Sequence, residues 1–299
     1  MSRTLAASRP LPCRRVLAPL VLLSVTFGVA TPGEAEEVPP VTQAGELELD
    51  VQSEYSRILI RRHSTLRSML FVRDNGEEVL ESQIDLRRPH VLQFEYLRYM
   101  FASYLLRDQQ QDVLIIGLGG GGMVHFLRHI DPKVRIDAVE IDPEVVRLAE
   151  KYFNVSSEGN VKVATADGFK FIADAKKPYD AIYMDAFLKP SADTDGTGAP
   201  LALRTRQFYE QMQSKLKPGG VVVFNLNPHP QLADDVKAIA EAFPQTYVLP
   251  LSQFGGAVVV ASTASDRVDA KALVRKGKEL DRRFKTDLSF QEMARRVQQ

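Results

Sequence analysis

The amino-acid sequence predicts an α/β fold: a largely parallel sheet with helices on both faces, closed by an antiparallel hairpin and preceded by a small β-rich module. Three observations carry this expectation. After residue 111, apolar strand-like runs alternate with helix-like runs five times over, which requires a parallel sheet buried on both faces. The last two strand candidates, "QTYVLPLS" and "AVVVAST", are separated only by Gln253 to Gly256, so they must pair antiparallel. Upstream, residues 46–85 carry short alternating runs and a hairpin turn signal.

The N-terminus is organised differently. Arg3, Arg9, Arg14 and Arg15 precede the apolar run Val16 to Ala30, and small residues come after it. Residues 1–30 therefore read as a secretory signal peptide, cleaved after Ala30 or Ala35. The run is shorter than the about 20 residues of a membrane span. A periplasmic or secreted protein with no membrane span after cleavage is expected, with a chain anchored by an uncleaved N-terminal helix as the alternative. Arg14-Arg15 weakly resembles a twin-arginine signal, so the export route stays open. The whole chain is formally neutral, and removing residues 1–30 leaves 38 acidic against 34 basic residues, about −4. No basic field points to nucleic acid as a partner. Cys13 is the only cysteine, so the mature chain has no disulfide. Residues 31–45, "TPGEAEEVPPVTQAG", read as a linker.

Residues 46–88 form the expected small β-rich domain. "YSRILIRRH" and "RSMLFVRD" alternate, and Asp74 to Gly76 supply the turn. So few residues cannot bury a core alone and should pack on the larger domain C-terminal to them. Residues 89–265 form the expected Rossmann-like nucleoside-binding catalytic domain. It opens with a helix from Pro89 on which Leu92, Tyr96, Tyr99 and Leu106 recur at helical spacing. The strands are "DVLIIG", "VRIDAVEID", "NVKVATAD", "YDAIYMDA" and "GGVVVFNL", then the terminal hairpin. Seven strands with such a hairpin make the sheet of class I methyltransferases and their relatives. Residues 266–299 form a charged helical tail with sparse apolar points at Leu273, Leu280 and Phe284.

The strand "DVLIIG" runs into a turn with almost no side chains. Gly117, Gly119 and Gly122 satisfy G-x-G-x-x-G between a strand and a helix, where a ligand's close approach to the backbone requires glycine. Plain strand–helix packing is the alternative. The next strand ends at Glu140, where a carboxylate accepts both ribose hydroxyls and disfavours a 2′-phosphate. The third ends at Asp167-Gly168, an acceptor for an adenine amino group or a helix cap. The fourth ends at Asp185, a base or electrostatic stabiliser in the crevice, or a loop cap. No H-E-x-x-H motif, cysteine cluster or calcium-type loop is present, so no metal is expected.

In combination these motifs resemble the spermidine synthase (polyamine aminopropyltransferase) family. The matching parts run from about Tyr55 to Leu226. They are Tyr55-x-x-Ile58, Gln83 in "ESQID", the glycine turn, "VEIDPEVVRLAEKYF", "ADGFKFI", "YDAIYMDAF" and "LKPGG". The resemblance implies that Gln83, Gly117, Gly119, Gly122, Glu140, Asp167 and Gly168 hold decarboxylated S-adenosylmethionine. It implies that Asp185 assists deprotonation of the attacking amine, that Tyr55 meets the substrate, and that the protein forms a homo-oligomer, a homodimer or a tetramer.

Two departures stand out. Gly120 occupies the place of an acid in the family's turn, and Leu188 the place of a second acid after the fourth strand. Each lost carboxylate removes a charged hydrogen bond worth about 1.5–3 kcal/mol to a cationic substrate. Aminopropyl transfer to an amine is the leading expectation. A methyltransferase using S-adenosylmethionine on a non-polyamine acceptor, and a non-catalytic exported nucleoside- or polyamine-binding protein, are the alternatives.

Overall fold

Period-two alternation in β1 (Glu46–Gln52), β2 (Arg57–His63), β3 (Leu66–Val72) and β4 (Glu78–Asp85) builds a four-stranded antiparallel sheet in that order. The computed structural model describes residues 45–298 apart from 189 and 254. The predicted signal peptide, with Cys13, and all of the linker but Gly45 lie outside the described residues. Ile58, Ile60, Met69 and Ile84 are buried in the shared core. Arg61 and Arg67 instead pair with Glu78 and Glu48, at 2.8 and 2.6 Å. The β3–β4 ladder slips once: Met69 faces Ser82, while Leu70 faces Leu80. Glu81 between them is a β-bulge, an extra residue that re-aims its side chain.

The second sheet contains β5 (Asp112–Ile116), β6 (Arg135–Glu140), β7 (Val161–Thr165), β8 (Tyr179–Met184), β9 (Leu216–Leu226), β10 (Gln245–Pro250) and β11 (Ala257–Ser262). Their order is β10-β11-β9-β8-β5-β6-β7, with β11 antiparallel to both neighbours. Both faces are covered. Val113 and Ile115 of β5 enter one core, and Leu114 and Ile116 the other. The chain winds outward from β5 through β6 and β7, then returns to β8 on the other side of β5. A crevice opens at the carboxyl ends of strands at such a switch point.

The helices begin where the sequence supplies caps. Asp142 accepts the Glu144 amide at 2.8 Å ahead of α3 (Pro143–Phe153), with Pro143 in the first turn. Helix α2 (Gly122–Ile130) comes directly after the glycine turn, and α4 (Gly168–Asp174), α5 (Arg206–Ser214) and α6 (Leu232–Ala242) complete the crossovers.

One segment differs from expectation, and the helical tail shows a reversal that its pattern does not. The helix expected from Pro89 starts only at α1 (Glu95–Met100), continuing as a 3-10 turn over Phe101–Leu105. The Asp85 side chain accepts the Arg87 amide at 3.0 Å, and its carbonyl accepts the Arg88 amide at 3.0 Å. These local bonds compete with a helical path. The charged tail is part of the core: α7 (Ala270–Phe284) and α8 (Phe290–Arg296) fold back on each other at Lys285, whose φ is 51°. Asp281 fixes the reversal by accepting the Phe290 amide at 2.6 Å. Leu273, Leu280, Phe290 and Met293 are buried.

Candidate active site

The glycine turn and the end of β8 are locked together by backbone. The Gly117 amide donates to Val139 at 2.8 Å, and the Asp185 amide donates to Ile116 at 2.9 Å. Gly117 has φ +94°, and a Cβ there would lie 2.0 Å from the Asp185 carbonyl oxygen. Only glycine allows this approach.

Glu140 sits beside the turn at the end of β6. Its two carboxylate oxygens accept the amides of Leu118 at 2.9 Å and Asp142 at 3.1 Å. Burial raises its pKa, and these amides oppose the rise. Asp167 lines the cavity and accepts the Lys170 amide at 3.1 Å as the cap of α4. Ser53 ties the first sheet to this row: its hydroxyl donates to Asp142 at 2.5 Å and accepts the Tyr55 and Ser56 amides at 3.1 and 2.9 Å.

The result is a cavity of about 180 Å³. Tyr55, Gly117, Gly119, Gly122, Glu140, Asp167, Gly168 and Asp185 all line it. Gln83 does not. It lies directly opposite Ser68 on β3, and its side-chain amide donates to the Ser68 hydroxyl at 2.9 Å. The bulge turns Glu81 into the cavity instead. A second cavity of about 830 Å³ shares Phe71, Glu81, Tyr96, Phe187 and Leu188 with the first.

Asp185 accepts from the Asn225 side-chain amide at 2.9 Å and from the Tyr96 hydroxyl. Burial outweighs both donors and pushes its carboxyl up to about 6. Burial and the Asp185 charge push Glu81 up to about 7, with Arg73 opposing. Burial also drives the Tyr96 phenol well above its usual range. Gly120, the departure in the turn, has no room for a side chain. Its amide donates to the Ser82 hydroxyl at 3.0 Å, and a Cβ would lie 2.8 Å from that oxygen and 2.9 Å from the Phe153 ring. Among the described residues no group of three or more His, Cys, Asp or Glu could hold a metal ion.

The family model for the spermine/spermidine synthase domain matches residues 94–261. A polyamine aminopropyltransferase of Vibrio vulnificus is 30% identical over 233 residues, 77% of this chain and 76% of that protein. The chain belongs to the spermine/spermidine synthase family. Its structure is similar to that of a probable spermidine synthase from Corynebacterium glutamicum, with TM-score 0.61 and 25% identity over 77% of this chain and 86% of that one. It is also similar to human methyltransferase-like protein 13, solved in complex with SAH, with TM-score 0.56 and 28% identity over 64% of this chain and 89% of that one.

For this member of the spermine/spermidine synthase family, sequence reasoning missed Ser53, Glu81, Tyr96 and Asn225 at the site. Tyr96 was visible only as an apolar helix position. Asn225, the one polar residue late in the apolar run "GGVVVFNL", was a signal that could have been used. For Glu81 the sequence held none, because strict alternation gives no warning of a bulge.

Proposed function

We propose that the chain is an aminopropyltransferase that uses decarboxylated S-adenosylmethionine and an amine acceptor. One observation carries this reading. The described residues lining the first cavity include Glu81, Glu140, Asp142, Asp167 and Asp185, and no Lys, Arg or His. Such a field favours a sulfonium nucleoside with an ammonium-ended tail, whereas the carboxylate of intact S-adenosylmethionine would meet like charge. The ribose rests on Glu140, the adenine approaches Asp167, and the glycine turn gives the nucleoside its close backbone contact.

The step is a direct displacement. The lone pair of the acceptor nitrogen attacks the methylene carbon bonded to sulfur. A C–N bond forms as the C–S bond breaks, and the sulfur keeps the electron pair as neutral methylthioadenosine. The proton leaving nitrogen passes to Asp185, which is ionised at pH 8 because its carboxyl titrates at about 6. Most of the acceleration comes from holding nitrogen and carbon in line. Calorimetry tests the ligand choice: decarboxylated S-adenosylmethionine should bind at least about tenfold more tightly than S-adenosylmethionine, a difference of about 1.4 kcal/mol. The reverse preference would favour a methyltransferase.

Export is proposed on the N-terminal arginines and the apolar run alone. Protein recovered from producing cells should begin near Thr31 or Glu36, and an intact Met1 in a cytoplasmic fraction would contradict this.

A further inference from the structure

We propose that Glu81 selects the acceptor: its carboxylate holds the amino group of a primary di- or oligoamine where the two cavities join, beside Asp185 and Asn225. This inference rests on the aminopropyltransferase reading above and assigns the acceptor end of that site.

The geometry sets Glu81 apart from every other acid nearby. Each of the others already has a protein donor: Glu140 two backbone amides, Asp142 the Ser53 hydroxyl and the Glu144 amide, Asp167 the Lys170 amide, and Asp185 the Asn225 side-chain amide and the Tyr96 hydroxyl. In the second cavity Glu78 pairs with Arg61, Glu77 with Arg73, and Glu95 holds the Ser252 hydroxyl at 2.6 Å. Glu81 faces both cavities and has no hydrogen-bond or ion-pair partner among the described residues. Its position is built in, since it is the one residue of β4 that the bulge removes from the ladder.

A second observation points to a ligand with N–H donors. Asn225 is 8% exposed, and its side-chain nitrogen is spent on Asp185. Its Oδ1 is buried without a donor, in the wall of the second cavity. A buried acceptor left unpaired is costly. An amino group between Asn225, Asp185 and Glu81 brings N–H donors to all three. Beyond it, Phe71, Phe94, Leu188 and Leu251 give the second cavity apolar surface for a methylene chain. The alternative place for an anchoring acid, position 120, is closed by Ser82 and Phe153. Charge for the acceptor thus comes from the strand, not from the turn.

Asp185 at the end of β8, Tyr96 on α1 and Arg73 after β3 are the ionisable or charged groups that bear on Glu81. Burial and Asp185 hold its carboxyl at about 7. It is therefore neutral at pH 6 and charged at pH 8, and capture of a cationic amine strengthens between the two.

The test is calorimetry of putrescine binding to the methylthioadenosine-loaded protein at pH 6 and pH 8, in wild type, Glu81→Gln and Glu81→Asp. Glu81→Gln is expected to weaken putrescine at least tenfold at pH 8 and to leave only the smaller strengthening between pH 6 and 8 that ionisation of Asp185 supplies. Methylthioadenosine affinity should change less than twofold, and Glu81→Asp should restore the pH dependence. Unchanged putrescine affinity in Glu81→Gln overturns the proposal, as does a loss that falls on methylthioadenosine instead. A wild type that binds methylthioadenosine but neither putrescine nor spermidine overturns the parent reading too, which separates the two failures.

Discussion

The carbonyl oxygen of Asp185 fills the space in which a side chain at Gly117 would begin, 2.0 Å from where its Cβ would stand. The glycine turn and the end of β8 are thus one rigid backbone unit. Gly117→Ala should destabilise the protein by on the order of 3 kcal/mol, from left-handed strain plus the clash. It should also abolish methylthioadenosine binding. Chemical denaturation and calorimetry check this; near-wild-type stability would mean that the two segments are free to separate.

Glu140→Ala should weaken methylthioadenosine by about 2 kcal/mol or more, the cost of lost charged hydrogen bonds to the ribose. The same change leaves the Leu118 and Asp142 amides without their acceptor, so a lower melting temperature should accompany it. Unchanged affinity would put the ribose elsewhere.

Gly120→Asp should not recreate an anchoring acid. The new side chain would have to displace the Ser82 hydroxyl and the Phe153 ring, at about 1–3 kcal/mol for overpacking. Denaturation should show the loss and amine turnover should fall. Better use of putrescine at unchanged stability would contradict the packing described for the turn.

Asp185 and Glu81 titrate above the ordinary carboxylate range, at about 6 and about 7. Between roughly pH 4 and those values the native state binds more protons than the unfolded chain, so these two groups lower stability as pH rises through that window. Their penalty is complete a little above pH 7. Glu81→Gln removes one share of it and should be more stable than wild type at pH 8, by on the order of 1–3 kcal/mol, and equal to it at pH 4. Denaturation at the two pH values measures this. A Glu81→Gln variant less stable at pH 8 would mean that Glu81 is paired in the native state.

The strand-end edge of the candidate site was legible in the sequence because strand ends are set by topology. Once β5, β6, β7 and β8 are parallel neighbours, Gly117, Glu140, Asp167 and Asp185 must share one edge. The wall that β4 contributes was not legible. Gln83 and Glu81 sit two apart and read as equivalent under alternation, and only the slipped ladder at Met69 and Leu70 decides which meets the cavity. The late start of α1 and the reversal at Lys285 escaped for a similar reason. Both depend on carboxylates, Asp85 and Asp281, accepting backbone amides that a periodic pattern cannot register.

The most direct test of aminopropyl transfer mixes the protein with decarboxylated S-adenosylmethionine and putrescine at pH 8 and tracks both products by mass spectrometry. Wild type should release methylthioadenosine and spermidine in equal amounts. Asp185→Asn should lose about 10²–10⁴-fold in rate, as expected for a positioned base, while binding methylthioadenosine nearly as well. Failure of wild type to form either product while still binding S-adenosylmethionine would contradict the account, and so would an Asp185→Asn variant as fast as wild type.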